Sequence, residues 1–148
     1  MNAIETVLLA SEHLSAAAEL EALCFSEPWS ANALALLIRD MGLGIAALSP
    51  TGDLLGYGGM VIAPDEGQIT NVAVHPDHRR KGFGAAIVRA LLRHAKDERL
   101  ESVSLEVRAS NTAAIELYKR AGFAEAGRRK GFYTKPTEDA LVMVCKIK

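Results

Sequence analysis

Arg79, Gly82 and Gly84 fall in the spacing R-x-x-G-x-G within the run His75-Pro76-Asp77-His78-Arg79-Arg80-Lys81-Gly82-Phe83-Gly84. The chemistry these residues suit is anion binding. Arg79, Arg80 and Lys81 supply positive charge. The glycines let backbone N–H groups approach a ligand with no Cβ in the way. An amphipathic helix follows from Phe83 to Asp97, and its first N–H groups have no partner inside the helix. A diphosphate is the anion that best matches such a spot. Arg-Arg-Lys taken alone fits a solvated loop equally well, and the two glycines tip the balance towards a ligand. No G-x-x-x-x-G-K-[ST] is present, and Gly82-Phe83-Gly84-Ala85-Ala86-Ile87 lacks the third glycine of a dinucleotide fingerprint.

Two further residues have acid–base chemistry. Glu106 stands near the end of an alternating stretch in which Val103, Leu105 and Val107 point one way and Ser104 and Glu106 the other. One reading is a carboxylate salt-bridged to Arg108 or Arg80. The other is a general base at a cleft, taking a proton directly or through water. Tyr118 lies on a short helix with Ile115. It either packs that helix on the sheet or donates its phenolic proton to a departing thiolate. Spacing alone leaves both pairs of readings open.

The elements that must position these groups can be read from pattern. Glu5 to Leu9 reads as a strand. Ser11 is a candidate cap for a helix carrying Leu14, Ala17, Ala18, Leu20, Glu21 and Cys24. Ser30 caps a second helix through about Asp40, ended by Gly42. Strands 44–48 and 54–62 flank the turn Ser49-Pro50-Thr51-Gly52-Asp53, and strand 68–74 enters the basic run. Asn111 caps a helix through about Arg120, with Gly122 as its stop, and strands 123–126 and 140–146 close the chain. Strand 68–74, helix 83–97 and strand 102–107 form a β-α-β unit with parallel strands. Their ends share one edge of the sheet, where α/β proteins bind ligands. The fold class is therefore α/β, with helices on both faces of a mixed, twisted sheet.

Composition narrows the function. The 148 residues predict one domain over 1–148. Apolar residues make up 49% and charged residues 24%, ordinary for a globular protein. A net charge of −1 supplies no overall field for nucleic acid. No apolar run reaches the roughly 18 residues of a membrane span, and the start Met1-Asn2-Ala3-Ile4-Glu5 has no basic region of a secretion signal. Cys24 and Cys145 read as two buried thiols of a reducing compartment, outside the cleft. His13, His75, His78 and His94 show no metal-ligand spacing, so no metal is expected.

The chain resembles the GCN5-related N-acetyltransferases. The resemblance rests on Arg79, Gly82 and Gly84 and, more diagnostically, on Ser104-Leu105-Glu106-Val107-Arg108-Ala109-Ser110-Asn111 with Ala114, Leu117-Tyr118 and Gly122-Phe123. It extends to Glu27-Pro28-Trp29-Ser30, Asn71-Val72-Ala73-Val74, Arg129-Lys130-Gly131-Phe132-Tyr133 and Glu138-Asp139-Ala140. Within the family it is similar to the RimI branch, which acetylates N-terminal alanines of bacterial ribosomal proteins. Phe132-Tyr133 departs from the tyrosine pair common there, and Gln68 stands where many relatives carry a glutamate base. The resemblance implies a splayed parallel strand pair that binds acetyl-CoA. Val72, Ala73 and Val74 would present backbone to the pantetheine arm, and Arg79, Arg80, Lys81, Gly82, Phe83, Gly84 and Ala85 would wrap the diphosphate. Asn111 would touch the coenzyme, Glu106 would accept the amine proton, and Tyr118 would protonate the leaving thiolate. Trp29, Phe132 and Tyr133 would flank the acceptor. The implied reaction is direct transfer to a protein N-terminus in the cytoplasm, with no membrane or nucleic-acid partner. Lysine side chains and small amines remain alternative acceptors. A non-catalytic acyl-CoA sensor and a nucleotide-binding module are the rival classes.

Overall fold

The computed structural model describes residues 4–148. Met1–Ala3, part of the start read above as carrying no secretion signal, lie outside them. Strands β1 (Glu5–Leu8), β2 (Gly42–Leu48), β3 (Leu54–Ile62), β4 (Glu66–Val74), β5 (Ser102–Arg108), β6 (Ala124–Tyr133) and β7 (Glu138–Lys146) make one sheet in the order β1-β2-β3-β4-β5-β7-β6. All neighbours are antiparallel except β4 and β5, the parallel pair of the β-α-β unit. The chain therefore has the mixed α/β sheet that the sequence predicts.

Helix α3 (Phe83–Asp97) covers one face. Its Ile87, Val88, Leu91 and Ala95 join Ile45, Met60, Ile69, Val103, Leu105 and Val107 in the larger core cluster. Helix α4 (Thr112–Ala121) contributes Tyr118 to the same cluster. Helices α1 (Leu14–Cys24) and α2 (Ala31–Leu34) cover the other face. There Ala17, Leu20, Leu34 and Leu37 pack against Ala46, Tyr57 and Ala73.

One irregularity in β4 decides what the two faces present. Gly59 pairs with Asn71 and Met60 with Ile69, so Thr70 is an extra residue in the ladder. Side chains alternate along a regular strand, and one inserted residue reverses the alternation. Ile69 accordingly joins the α3-side cluster, whereas Ala73, four residues on, joins the α1-side cluster. Val72 and Val74 return to the α3 side. Pairing of β4 with β5 stops at Ile69 and Leu105, immediately before the bulge. Beyond that point the two strands part, and a gap opens at their carboxyl ends.

Local structure differs from the sequence pattern in four places. Ser11 begins a 3₁₀ turn instead of capping α1, and the N–H of Ala10 is taken by the ring of His13 at 2.9 Å. Ser30 does cap α2, but the helix tightens to 3₁₀ over Ala35–Ile38 and is shorter than expected. Gly42 opens β2, because β2 runs directly beneath that turn. A Cβ on Gly42 would lie 2.1 Å from the carbonyl oxygen of Leu36. Strand β6 reaches Tyr133, seven residues beyond the expected stop at Ala126, because it pairs along β7.

The Gly42 contact is backbone on backbone and has no flexible atom to yield. Gly42→Ala should cost about 1–3 kcal/mol and lower Tm by at least about 3 °C in calorimetry. Gly127→Ala, where a Cβ meets nothing within 4 Å, should leave Tm within about 1 °C.

Candidate active site

The parting of β4 and β5 opens into a cleft of about 610 Å³. Its floor is Ile69–Val72 on β4 and Leu105–Arg108 on β5. One wall is the loop after α1, Cys24–Glu27 and Trp29; the opposite wall is the β6–β7 turn, Phe132–Pro136. Asn111, Ala114 and Tyr118 close the α4 side. Thr134 donates a hydrogen bond to Glu27, which ties the two walls together. The sequence-predicted Glu106, Tyr118, Asn111, Val72, Trp29, Phe132 and Tyr133 thus line one cavity.

Glu106 shares neither Arg108 nor Arg80 as a partner. Its Oε1 accepts from Gln68 Nε2 at 3.0 Å, and its Oε2 lies 3.5 Å from Arg129 Nε. The alternation of β5 places Glu106 on the α1 side, away from Val107, and Gln68 reaches it from the same face. The Glu106 side chain is 14% exposed while Arg129 is 60% exposed. An ion pair with so exposed a partner is screened and weak.

Arg108 serves the scaffold. Its guanidinium donates to the carbonyl oxygens of Pro136 at 2.9 Å and Thr134 at 3.0 Å and pairs with Glu138 at 3.2 Å. It also stacks 4.5 Å from the Tyr133 ring. Glu138 accepts a bond from the N–H of Ser110, and that bond, with Arg108 beside it, holds its carboxyl below the usual range. This set fastens the β6–β7 turn to the end of β5.

Tyr118 approaches from the other face. It is 8% exposed and packs edge-on against Phe123 with ring centroids 5.8 Å apart. Its hydroxyl has no hydrogen-bond partner among the described residues. Burial, reinforced by Tyr133, pushes its phenol up to about 12. Asn111 caps α4 as the sequence predicts, its Oδ1 accepting from Ala114 N at 3.2 Å, which leaves its Nδ2 uncommitted by the cap on a residue that lines the cleft.

The basic run lies at the far end of β4. Gly82 is the residue before α3 and has a left-handed backbone, φ 88°, as does Arg80 at φ 63°. Glycine is favoured at 82 by that conformation. No side chain caps α3, in contrast to α2 and α4. Its first N–H groups therefore remain available to a ligand. A Cβ on Gly84 would crowd Leu117 Cδ1 at 2.8 Å, the movable end of a side chain on α4, so α4 packs closely at this position. Arg79 folds back from the run. Its Nε donates to the carbonyl of Val74 at 3.3 Å and its Nη2 lies 3.5 Å from Cys24 Sγ.

One expectation changes. Cys24 lines the cleft and is only half-buried, because the last turn of α1 forms part of the wall; Cys145 is buried as expected. The Cys24 thiol donates to the carbonyl of Val74 and lies beside the Arg79 guanidinium. The edge of β4 without a β5 partner begins at Thr70 and includes Val72, Ala73 and Val74. Sequence reasoning also missed Gln68 and Arg129 as partners of Glu106, since they come from strands distant in the chain.

All three tyrosines have raised phenols, Tyr57 and Tyr133 chiefly by burial as well. A spectrophotometric titration at 295 nm should show less phenolate at pH 10 in the folded protein than in the denatured chain, which should follow the ordinary tyrosine curve, half ionised at about pH 10. Tyr118→Phe should leave the phenolate seen near pH 10 unchanged, and a variant that loses a phenol titrating there contradicts the packing described for Tyr118.

The model of the Acetyltransferase (GNAT) family matches residues 14–123. The ribosomal protein bS18-alanine N-acetyltransferase of Escherichia coli is 34% identical over 149 residues, covering 99% of each chain. The N-alpha-acetyltransferase RimI of Mycobacterium tuberculosis is 32% identical, over 85% of this chain and 82% of that one. The crystal structure of the Escherichia coli ribosomal-protein-S18-alanine N-acetyltransferase superposes with a TM-score of 0.90 at 32% identity, over 99% of this chain and 95% of that chain. A cleft between parting parallel strands, an uncapped helix after a basic glycine run, and a match over most of the length agree: the chain belongs to the GNAT acetyltransferase family.

Proposed function

We propose that this protein transfers the acetyl group of acetyl-CoA to the N-terminal α-amine of a protein, an N-terminal alanine of a ribosomal protein. The observation that carries this reading is the meeting of Glu106 and Tyr118 in one cleft from opposite faces of the sheet, at the place where β4 loses its strand partner. The Escherichia coli relative, named for the alanine of bS18, supports the choice of acceptor. Such a substrate places the reaction in the cytoplasm.

The chain has features that fit the coenzyme. The free N–H groups at the start of α3, with Arg80 and Lys81 beside them, suit a diphosphate. The edge of β4 from Thr70 to Val74 offers backbone groups to an extended arm, and Asn111 Nδ2 is a spare donor. In the reaction, the neutral amine attacks the thioester carbonyl, and a C–N bond forms. Glu106 takes the amine proton. The C–S bond then breaks, and Tyr118 gives its proton to the sulfur. A phenol held at about 12 stays protonated at neutral pH, so the acid is in place before attack. The same burial raises the proton affinity of a thiolate leaving beside it. We read the transfer as direct, the amine attacking the thioester, with Cys24 Sγ donating to the carbonyl of Val74 and taking no part.

The two carboxyl and phenol roles separate under substitution. Glu106→Gln keeps the bond from Gln68 through its amide oxygen but removes the charge. Its kcat should fall about 10²-fold or more with acetyl-CoA affinity within twofold of wild type. Tyr118→Phe should lose kcat likewise, with stability changed by no more than about 1 kcal/mol. Near-wild-type kcat in either variant removes that residue from the proposed chemistry.

The acceptor is tested by acetylation of a peptide panel read by mass spectrometry. An α-amine has a pKa near 7.7–8.0 against about 10.4 for lysine, so at neutral pH far more of it is ready to attack. Peptides with a free N-terminal alanine should be acetylated in preference to N-terminally blocked peptides carrying an internal lysine. The reverse preference overturns the N-terminal reading and leaves acetyl transfer standing.

A further inference from the structure

A buried polar cluster beneath the cleft is not used by the reaction as described. Glu21, on α1, is 1% exposed. Its Oε1 accepts from the backbone N–H of Trp29 at 2.9 Å, and its Oε2 accepts from Asn71 Nδ2 at 3.2 Å and from the hydroxyl of Tyr57. Three donors from the cleft wall, β4 and β3 thus converge on one buried carboxyl, which would otherwise be costly to bury. Two acceptors cannot bond each other, so the Asn71 amide is satisfied only with its nitrogen turned to Glu21. Its oxygen is thereby turned away.

That oxygen and the neighbouring Thr70 hydroxyl are the two buried side-chain polar atoms left without a partner among the described residues. Asn71 is 8% exposed and lines the cleft, yet its buried Oδ1 has no hydrogen-bond partner among the described residues. Nearly all buried acceptors have one. The strand pattern shows why the position matters. Without the bulge at Thr70, Asn71 would share the α3 face with Ile69. The inserted residue carries it to the α1 face, where Gln68 and Glu106 also project. The nitrogen of Asn71 is accounted for by Glu21, whereas its oxygen is left for a donor that arrives from the cleft. A thioester carbonyl has none and neither has the Glu106 carboxylate. The acceptor amine has one to give, as have the amides of the coenzyme arm, and separate KM values for peptide and acetyl-CoA tell the two apart.

We propose that Asn71 binds the acceptor amine, its Oδ1 receiving one N–H of the incoming nitrogen, and that Glu21 is the positioning residue that fixes the amide in this orientation. This rests on the reading of the cleft as an N-acetyltransferase site. With one N–H directed to Asn71 and another to Glu106, the lone pair of the nitrogen is left to face the unpaired edge of β4, where the thioester would lie. The contact selects primary over N-substituted amines, which have one N–H fewer.

The experiment measures KM separately for acetyl-CoA and for a free N-terminal alanine peptide, together with the ratio of kcat/KM for that peptide over its N-methylalanine counterpart. Asn71→Leu should raise the peptide KM about tenfold or more, leave the acetyl-CoA KM within twofold, and shrink the primary-amine preference by a similar factor. Asn71→Ser removes the amide oxygen without adding bulk and should show the same split, which covers a leucine variant that does not fold. Tyr57→Phe, which releases Glu21 from one donor outside the cleft lining, should lower Tm and keep the peptide KM. An unchanged peptide KM and preference in folded Asn71 variants overturns the proposal. So does an equal rise in both KM values, or a Tyr57→Phe loss as large as that of Asn71→Leu, since either marks general distortion. Wild-type protein that acetylates no free N-terminus sinks the underlying reading instead.

Discussion

The structure depends on the interruption of one ladder. Parallel strands β4 and β5 pair as far as Ile69 and Leu105 and then separate. Strand edges buried without partners are costly, because each backbone N–H and C=O lost to water needs another partner. The chain meets this by making the separation at a cleft, where ligand backbone or solvent can serve, and by enforcing it with an extra residue at Thr70. The same residue sorts the side chains: Val72 and Val74 support the α3 side, whereas Asn71 and Ala73 turn to α1. The cleft and its polar floor are thus one event in the backbone.

The walls are held by charge and hydrogen bonds more than by apolar packing. Arg108 gathers two carbonyls, Glu138 and the Tyr133 ring, and Glu138 in turn holds the N–H of Ser110. Thr134 then reaches across to Glu27. On the opposite side Glu21 holds the N–H of Trp29. Both walls are loops tethered by buried or half-buried carboxylates to strands that the apolar core fixes. Loops held in this way can carry chemistry without needing a core of their own.

Much of the frame was legible in the sequence for physical reasons. Helix α3 was found to the residue because its apolar face keeps the helical period and a left-handed glycine precedes it. Asn111 and Gly122 bounded α4 because a cap side chain and a positive-φ stop are local signals. The alternation in β5 placed Glu106 opposite Val107 correctly. What stayed hidden was non-local. Glu21 read as one more helical position, since nothing near it in sequence shows that Tyr57 and Asn71 meet it. The partners of Glu106 come from residues 68 and 129, and a salt bridge to nearby Arg108 was the wrong guess because Arg108 points the same way but is taken by Glu138. The bulge at Thr70 has no glycine or proline to announce it. Gly84 matched a ligand motif while also serving helix packing.

The bare first turn of α3 has a consequence for folding as well as for binding. A helix whose N-terminal donors await an outside acceptor is incomplete as a folded element until that acceptor is present. Any anion that binds there binds the native state and not the unfolded chain, and it adds stability in proportion to the logarithm of its concentration over its dissociation constant. A coenzyme held there in the way proposed would make the unfolding temperature of this protein rise with the concentration of its own substrate.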